Sequence, residues 1–125
     1  MLAIAPTGSG KTYAYGLTLA PHILAQMDSK QNSFPPSSST RKDPHALVLV
    51  PTRELAIQVA SALKVLRSLF GIKAVPVYGG QDKESQLEAL FSGGTPHIVV
   101  ATPGRLLDLV ATQTLSLREV PRYCE

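Results

Sequence analysis

The 125-residue chain holds one cysteine, Cys124, and no tryptophan. A single thiol cannot close an internal disulfide, and no cysteine–histidine cluster has the spacing of a zinc site. An intracellular, reducing setting fits, with nucleus, nucleolus and cytoplasm left unresolved. Long apolar runs are missing as well. No stretch approaches the roughly 18 apolar residues of a membrane span, and a polar Gly-Ser-Gly-Lys-Thr turn stands where a signal peptide needs its apolar core. Neither export nor a membrane partner is expected. Charge of one sign is scarce too: 12 Lys and Arg against 9 Asp and Glu leave a formal +3, which permits a polyanionic partner without demanding one. His22, His45 and His97 share no ligand spacing. The few aromatics, Tyr13, Tyr15, Phe70 and Tyr78 among them, read as packing residues rather than base-stacking platforms.

What the chain does have is concentrated in short motifs. Ala5, Pro6, Thr7, Gly8, Ser9, Gly10, Lys11 and Thr12 form a Gly-rich turn that closes on Lys-Thr. Residues 2–5 are an apolar strand candidate and a helical pattern begins at Lys11, so the turn has the strand–loop–helix setting of a phosphate-binding loop. Successive backbone N–H groups at such a helix start cradle phosphate oxygens. The Lys11 ammonium can reach the terminal phosphates of ATP, and the Thr12 hydroxyl can hold the bridging Mg²⁺. Gly8 and Gly10 let backbone approach phosphate without a Cβ in the way. Ala5 stands where the strict motif begins with Gly. A plain flexible surface turn would leave the Lys-Thr ending and the flanking elements unexplained.

Beyond the loop, helix one is expected to kink or restart at Pro21. Residues 28–43 are polar, Ser-rich and contain Pro35-Pro36, a composition that reads as an exposed, disordered insertion loop. The apolar run 46–50 between Pro44 and Pro51 has the character of a strand covered on both faces. One apolar stripe through Leu55, Val59, Ala62, Leu63, Leu66 and Leu69 then predicts a helix over about 53–70. A strand over 72–78, a turn at Gly79-Gly80, a short helix over 85–91, a strand over 98–101 and a helix starting at Thr102-Pro103 complete the order. Four strands alternating with helices imply an α/β fold: a three-layer parallel sheet with the phosphate loop at a carboxyl strand end.

Three further motifs leave predicted strands at that same edge. They are Pro51-Thr52-Arg53-Glu54-Leu55-Ala56, the Gly79-Gly80 pair, and Thr102-Pro103-Gly104-Arg105. Singly, each has an ordinary explanation as an ion pair, a turn or a helix cap. Together with the phosphate loop, in this order, they resemble the first RecA-like domain of DEAD-box ATP-dependent RNA helicases. The resemblance covers nearly the whole chain except the insertion and the last few residues, which makes residues 1–125 a partial domain with an incomplete RecA-like sheet. It implies nucleotide binding by the Ala5 to Thr12 loop with ATP and Mg²⁺. It also implies contacts of Pro51, Thr52, Arg53, Gly79, Gly80, Thr102, Pro103, Gly104 and Arg105 with RNA, single-stranded or duplex, along its backbone and without regard to base order.

The family's Asp-Glu-Ala-Asp motif, its Ser-Ala-Thr motif and its second RecA-like domain do not occur in these 125 residues. A catalytically inactive RNA-binding or partner-binding fragment is therefore the alternative to an ATPase module. A P-loop small-molecule kinase would use the first loop but none of the other motifs. Without carboxylates to place Mg²⁺ and water, positioning and electrostatic stabilisation are both lacking for phosphoryl transfer. The chain as given is expected to release no more phosphate from ATP, with saturating single-stranded RNA, than a Lys11→Ala control. Turnover abolished by that substitution would overturn this expectation.

Overall fold

The structure is a computed structural model that describes residues 10–31 and 43–117. The strand expected at 2–5, the loop residues Ala5 to Ser9 and residues 32–42 of the expected insertion lie outside the described residues. The described residues form three strands, β1 Ala46–Leu49, β2 Ala74–Val77 and β3 Ile98–Ala101, in a parallel sheet of order β1-β3-β2. Helix α1 Lys11–Gln31 precedes β1. Helices α2 Arg53–Leu63 and α3 Val65–Phe70 lead to β2, α4 Lys83–Phe91 leads to β3, and α5 Pro103–Ala111 follows it.

The middle strand organises the layers. Ile98, Val99, Val100 and Ala101 are each 0% exposed, as a β-branched apolar run between two other strands requires. Side chains alternate across a strand. Ile98 and Val100 therefore join Ala20, Ile23, Val59, Leu63 and Leu66 on the α1–α2–α3 face, while Val99 and Ala101 join Val77, Leu90, Leu106 and Leu109 on the α4–α5 face. Each large aliphatic side chain buried in this way stabilises the fold by roughly 1.5–3 kcal/mol.

Register then places the motifs. Ala46 and Ala74 both face Ile98, and Leu49 and Val77 both face Ala101, so the strands end at one level. Hydrogen bonds from Val50 N–H to the Ala101 carbonyl (2.9 Å) and from Thr102 N–H to the Val77 carbonyl (3.0 Å) carry the ladder to its carboxyl edge. All three chain exits emerge there.

Several local expectations change. Helix α1 runs unbroken through Pro21 and on through Gln31, four residues into the stretch 28–43 that composition assigns to a loop. A proline inside a helix forfeits one backbone bond. Ala20 and Ile23, each 2% exposed, anchor the helix on either side of it. Residues 28–31 contain neither Gly nor Pro, so nothing in them ends the helix. Asp43, at the other end of that stretch, is buried. Where α1 crosses α2, a Cβ on Gly16 would lie 2.6 Å from Leu63 Cδ2, so a glycine is what permits the close approach of the two helices.

The single helix expected over 53–70 is two, parted at Lys64, whose N–H bonds back to the Ser61 carbonyl (3.2 Å) in a tighter turn. Helix α3 ends on Gly71, which takes the left-handed φ of 71°. Ile72 N–H closes the cap on the Leu66 carbonyl (3.3 Å), which removes Ile72 from the strand expected to begin there. Helix α4 starts earlier than periodicity suggests because the Asp82 carboxylate accepts from Ser85 N–H (2.9 Å) as an N-cap. Tyr13 and Phe70, expected in the packing, are 52% and 40% exposed at the first turn of α1 and the last turn of α3. Tyr78 does pack against the core, and the Tyr15 side chain lies outside the described residues. No helix of the described residues is long and apolar enough to cross a membrane.

The amino edge of the sheet is tied by Lys73 and His97. Lys73 N–H donates to His97 Nδ1 (2.9 Å), while its ammonium donates to the carbonyls of Leu90 (3.0 Å), Ser92 and Gly94 (3.4 Å) at the end of α4. A cation there meets the negative end of the helix dipole. His45 stacks on His97 with ring centroids 5.6 Å apart. Burial, and secondarily the Lys73 ammonium, hold the His97 imidazole below its ordinary pKa, so the folded state favours the neutral ring. The unfolded chain takes up that proton first as pH falls below about 6.5, and stability is lost from there down through the lower folded value. Melting temperature is expected to drop between pH 7.5 and 5 more steeply for the wild type than for His97→Asn, whose side-chain oxygen can still accept the Lys73 N–H. Equal slopes in thermal melts across that range would contradict this assignment.

Candidate nucleic-acid interface

At the carboxyl edge, the turn after β1 opens α2. Thr52 adopts an extended N-cap conformation, and its Oγ1 accepts from Leu55 N–H at 3.2 Å. That cap sets Arg53 at the first helical position, with its guanidinium directed along the edge. The Glu54 carboxylate is 3.7 Å from Arg53 Nε, with the two side chains 53% and 71% exposed. An exposed pair of this kind is worth about 0–1 kcal/mol, so Glu54 does little to tie up the cation.

The turn after β2 comes to meet it. Gly80 has a left-handed φ of 82°, and a Cβ built on it would sit 3.2 Å from Arg53 Nη1. Two motifs that are far apart in sequence are thus in contact. Arg53, Glu54, Ile57, Tyr78, Gly80 and Gln81 line a shallow depression of about 340 Å³ between these turns. Gly79 needs no such conformation; of the pair, only Gly80 has a positive φ.

The third exit, after β3, opens α5. Thr102 stands at the N-cap and Pro103 at the first helical position, as expected, but the Thr102 side chain makes no capping bond. Pro103 sets the turn through its fixed φ instead. Arg105, one residue past Gly104, reaches back across the edge. Its Nη1 donates to Gln86 Oε1 (3.2 Å) and its Nη2 to the Gln81 carbonyl (3.0 Å). The N-termini of α2 and α5 both present first-turn N–H groups and positive dipole ends here.

Gln81 and Gln86 are absent from the motifs read in the sequence, yet they join two of them. The available signal was a glutamine one helical turn before Leu90 on α4, at a position that the helix buries. Asp82, beside them, has its carboxyl held below the usual carboxylate range, first by the Ser85 N–H, next by the Ser85 hydroxyl, with Arg105 a smaller contributor. Asp108 pairs with Lys83 at 3.0 Å and links α5 to α4.

Of the phosphate-loop residues, the structure describes Gly10, Lys11 and Thr12. Gly10 has a φ of 80° with open space where a Cβ would stand, and its carbonyl accepts the Ala14 N–H (3.0 Å) as α1 begins. Lys11 is exposed and Thr12 half-buried in the first turn of a long helix. This arrangement suits the end of a phosphate cradle, with a glycine where backbone must come close and an ammonium and a hydroxyl on consecutive residues. Among the described residues no group of three or more His, Cys, Asp or Glu side chains could hold a metal by itself.

The chain is 42% identical over 120 residues to DEAD-box ATP-dependent RNA helicase 5 of Arabidopsis thaliana, covering 96% of this chain and 21% of the relative. It is 45% identical over 118 residues to ATP-dependent RNA helicase DeaD of Buchnera aphidicola, covering 94% and 17%. The chain thus spans about a fifth of the length of the curated relatives it matches. Among solved structures it resembles the RNA helicase Prp28 from Chaetomium thermophilum bound to ADP, with a TM-score of 0.70, 35% identity and coverage of 94% of this chain and 26% of that one. It also resembles the DEAD-box helicase Mss116 bound to ssRNA and UDP-BeF, with a TM-score of 0.72, 27% identity and coverage of 93% and 22%. These neighbours are RecA-like helicase domains, and the α/β sheet seen here is of their kind. The family model for the DEAD/DEAH box helicase matches residues 1–123, and the chain belongs to that family.

Proposed function

We propose that this chain is the nucleotide-binding and RNA-backbone-binding part of an ATP-dependent RNA helicase, with residues 1–125 as a partial first RecA-like domain. The observation that carries the reading is the meeting of Arg53, Gly80 and Arg105 on one sheet edge, between two helix N-termini. Guanidinium groups offer planar pairs of donors to phosphate, and glycine lets a strand approach backbone closely. Pro51, Thr52, Gly79, Thr102, Pro103 and Gly104 shape the same edge. Guanidinium and backbone contacts to phosphate position a strand without reading base order, so binding through them is independent of sequence.

Lys11 and Thr12, with Gly10 and the residues from Ala5 to Ser9, would hold ATP, Thr12 through Mg²⁺. Bound there, the nucleotide with its metal supplies the phosphoanhydride whose hydrolysis resets the family's helicase cycle. The part of this chain is to bind and orient: Lys11 would neutralise terminal phosphate charge, and the Thr12 hydroxyl would hold the cation. In a longer protein of this kind, a second RecA-like domain is the partner that closes the cleft and couples hydrolysis to local duplex opening. On composition, residues 32–42 are proposed as an insertion at the domain surface, and the single thiol suits an intracellular site.

Arg53→Ala and Arg105→Ala are each expected to weaken binding of single-stranded RNA by roughly 3- to 10-fold, as charge-assisted contacts do. The loss should be equal for two RNAs of unrelated sequence. Each removed phosphate contact should flatten the slope of log affinity against log salt by about 0.7. Fluorescence anisotropy over a salt series measures both quantities. A strong base preference that disappears in R105A would sink the backbone-contact reading.

A further inference from the structure

Gln86 is 3% exposed, the one glutamine among the described residues to be so deeply buried. Its neighbour one helical turn on, Leu90, is 0% exposed and apolar, as that face of α4 demands. An amide in such a place is costly unless its polar atoms are paired. They are: Oε1 accepts from Tyr78 N–H (3.3 Å) and from Arg105 Nη1 (3.2 Å), and Nε2 donates to Gln81 Oε1 (3.1 Å). The amide can have only this orientation, because a backbone N–H and a guanidinium are both obligate donors. One side chain therefore holds the end of β2, the loop after it and the start of α5.

We propose that Gln86 is a positioning residue that locks the Arg105 guanidinium to the Gly79-Gly80-Gln81 turn, making the two motifs one rigid clamp for an RNA phosphate. The proposal rests on the backbone-contact reading above. Gln86 itself is too buried to touch RNA. Arg105 has five N–H donors, and the bonds to Gln86 Oε1 and the Gln81 carbonyl use two of them. Three remain to meet a phosphate from a side chain that is already held in place, so little rotamer freedom is lost on binding. Glutamine suits the position better than glutamate. A carboxylate would accept the same two bonds, but it would neutralise Arg105 and lose the donor to Gln81.

The test is anisotropy with a labelled single-stranded RNA over a salt series, on the wild type, Gln86→Met, Gln86→Glu, Arg105→Ala and the double variant Q86M/R105A. Q86M keeps the charge of Arg105 but removes one of its two tethers, leaving the bond to the Gln81 carbonyl, so affinity should fall by roughly 3- to 10-fold with the salt slope unchanged. Q86E should flatten the slope by about 0.7, as R105A does, because the cation is then paired internally. The double variant should bind no more weakly than R105A alone. Wild-type affinity in Q86M, or additive losses in the double variant, would overturn the positioning role while R105A still showed the arginine contact. An R105A variant that binds as the wild type would sink the phosphate reading and the clamp with it. If circular dichroism shows Q86M unfolded, Q86E decides: it retains the volume and an oxygen that accepts both bonds, and a wild-type salt slope in it would refute the proposal.

Discussion

Burial of one strand on both faces is the constraint on which the structure depends. With Ile98, Val99, Val100 and Ala101 all withdrawn from solvent, β3 is central, and both of its neighbours run parallel to it in a register that covers it. Parallel strands need crossover helices, and the two faces of β3 need one helical layer each. The α1–α2–α3 layer and the α4–α5 layer follow from that demand, and so does the level at which all three strands stop.

That common stopping level is what turns scattered motifs into a site. A parallel sheet sends every strand exit to one edge, where the next helix begins with unpaired N–H groups. Arg53, Gly80 and Arg105 come from three different exits, which a sheet with an antiparallel strand would divide between its two edges. The opposite edge shows the complementary logic. There the helices end, and Lys73 places a cation on the terminal carbonyls of α4 while its backbone N–H engages His97. One edge is left with positive ends to offer, and at the other the Lys73 ammonium meets the negative end of α4.

Polar interactions at the carboxyl edge differ in what they can specify. The Arg53–Glu54 pair is solvated and leaves both groups free to move, whereas the Gln86 amide is desolvated and geometrically determined by its three partners. Buried amides of that kind add little net stability but admit few alternative arrangements. Where α1 crosses α2, a glycine plays the comparable steric part: without a side chain at Gly16, Leu63 can seat itself against the helix backbone.

The sequence by itself determined the α/β alternation, the existence of β1, β2 and β3, and the residues that converge on the carboxyl edge. Those features rest on short-range causes: apolar runs, helical stripes, glycine turns and a proline at a helix start. It also carried the motif order that marks the family. Local signals misplaced what packing decides. Pro21 reads as a kink or restart, yet buried neighbours on both sides carry α1 through it without a break, and the polar residues 28–31 simply extend the same helix. Ile72 reads as strand, but the cap on Gly71 claims its N–H. Strand order, the contact of Gly80 with Arg53 and the role of Gln86 belong to the tertiary structure alone. Each depends on which groups a parallel register brings together across distant segments, and no periodicity within one segment encodes that.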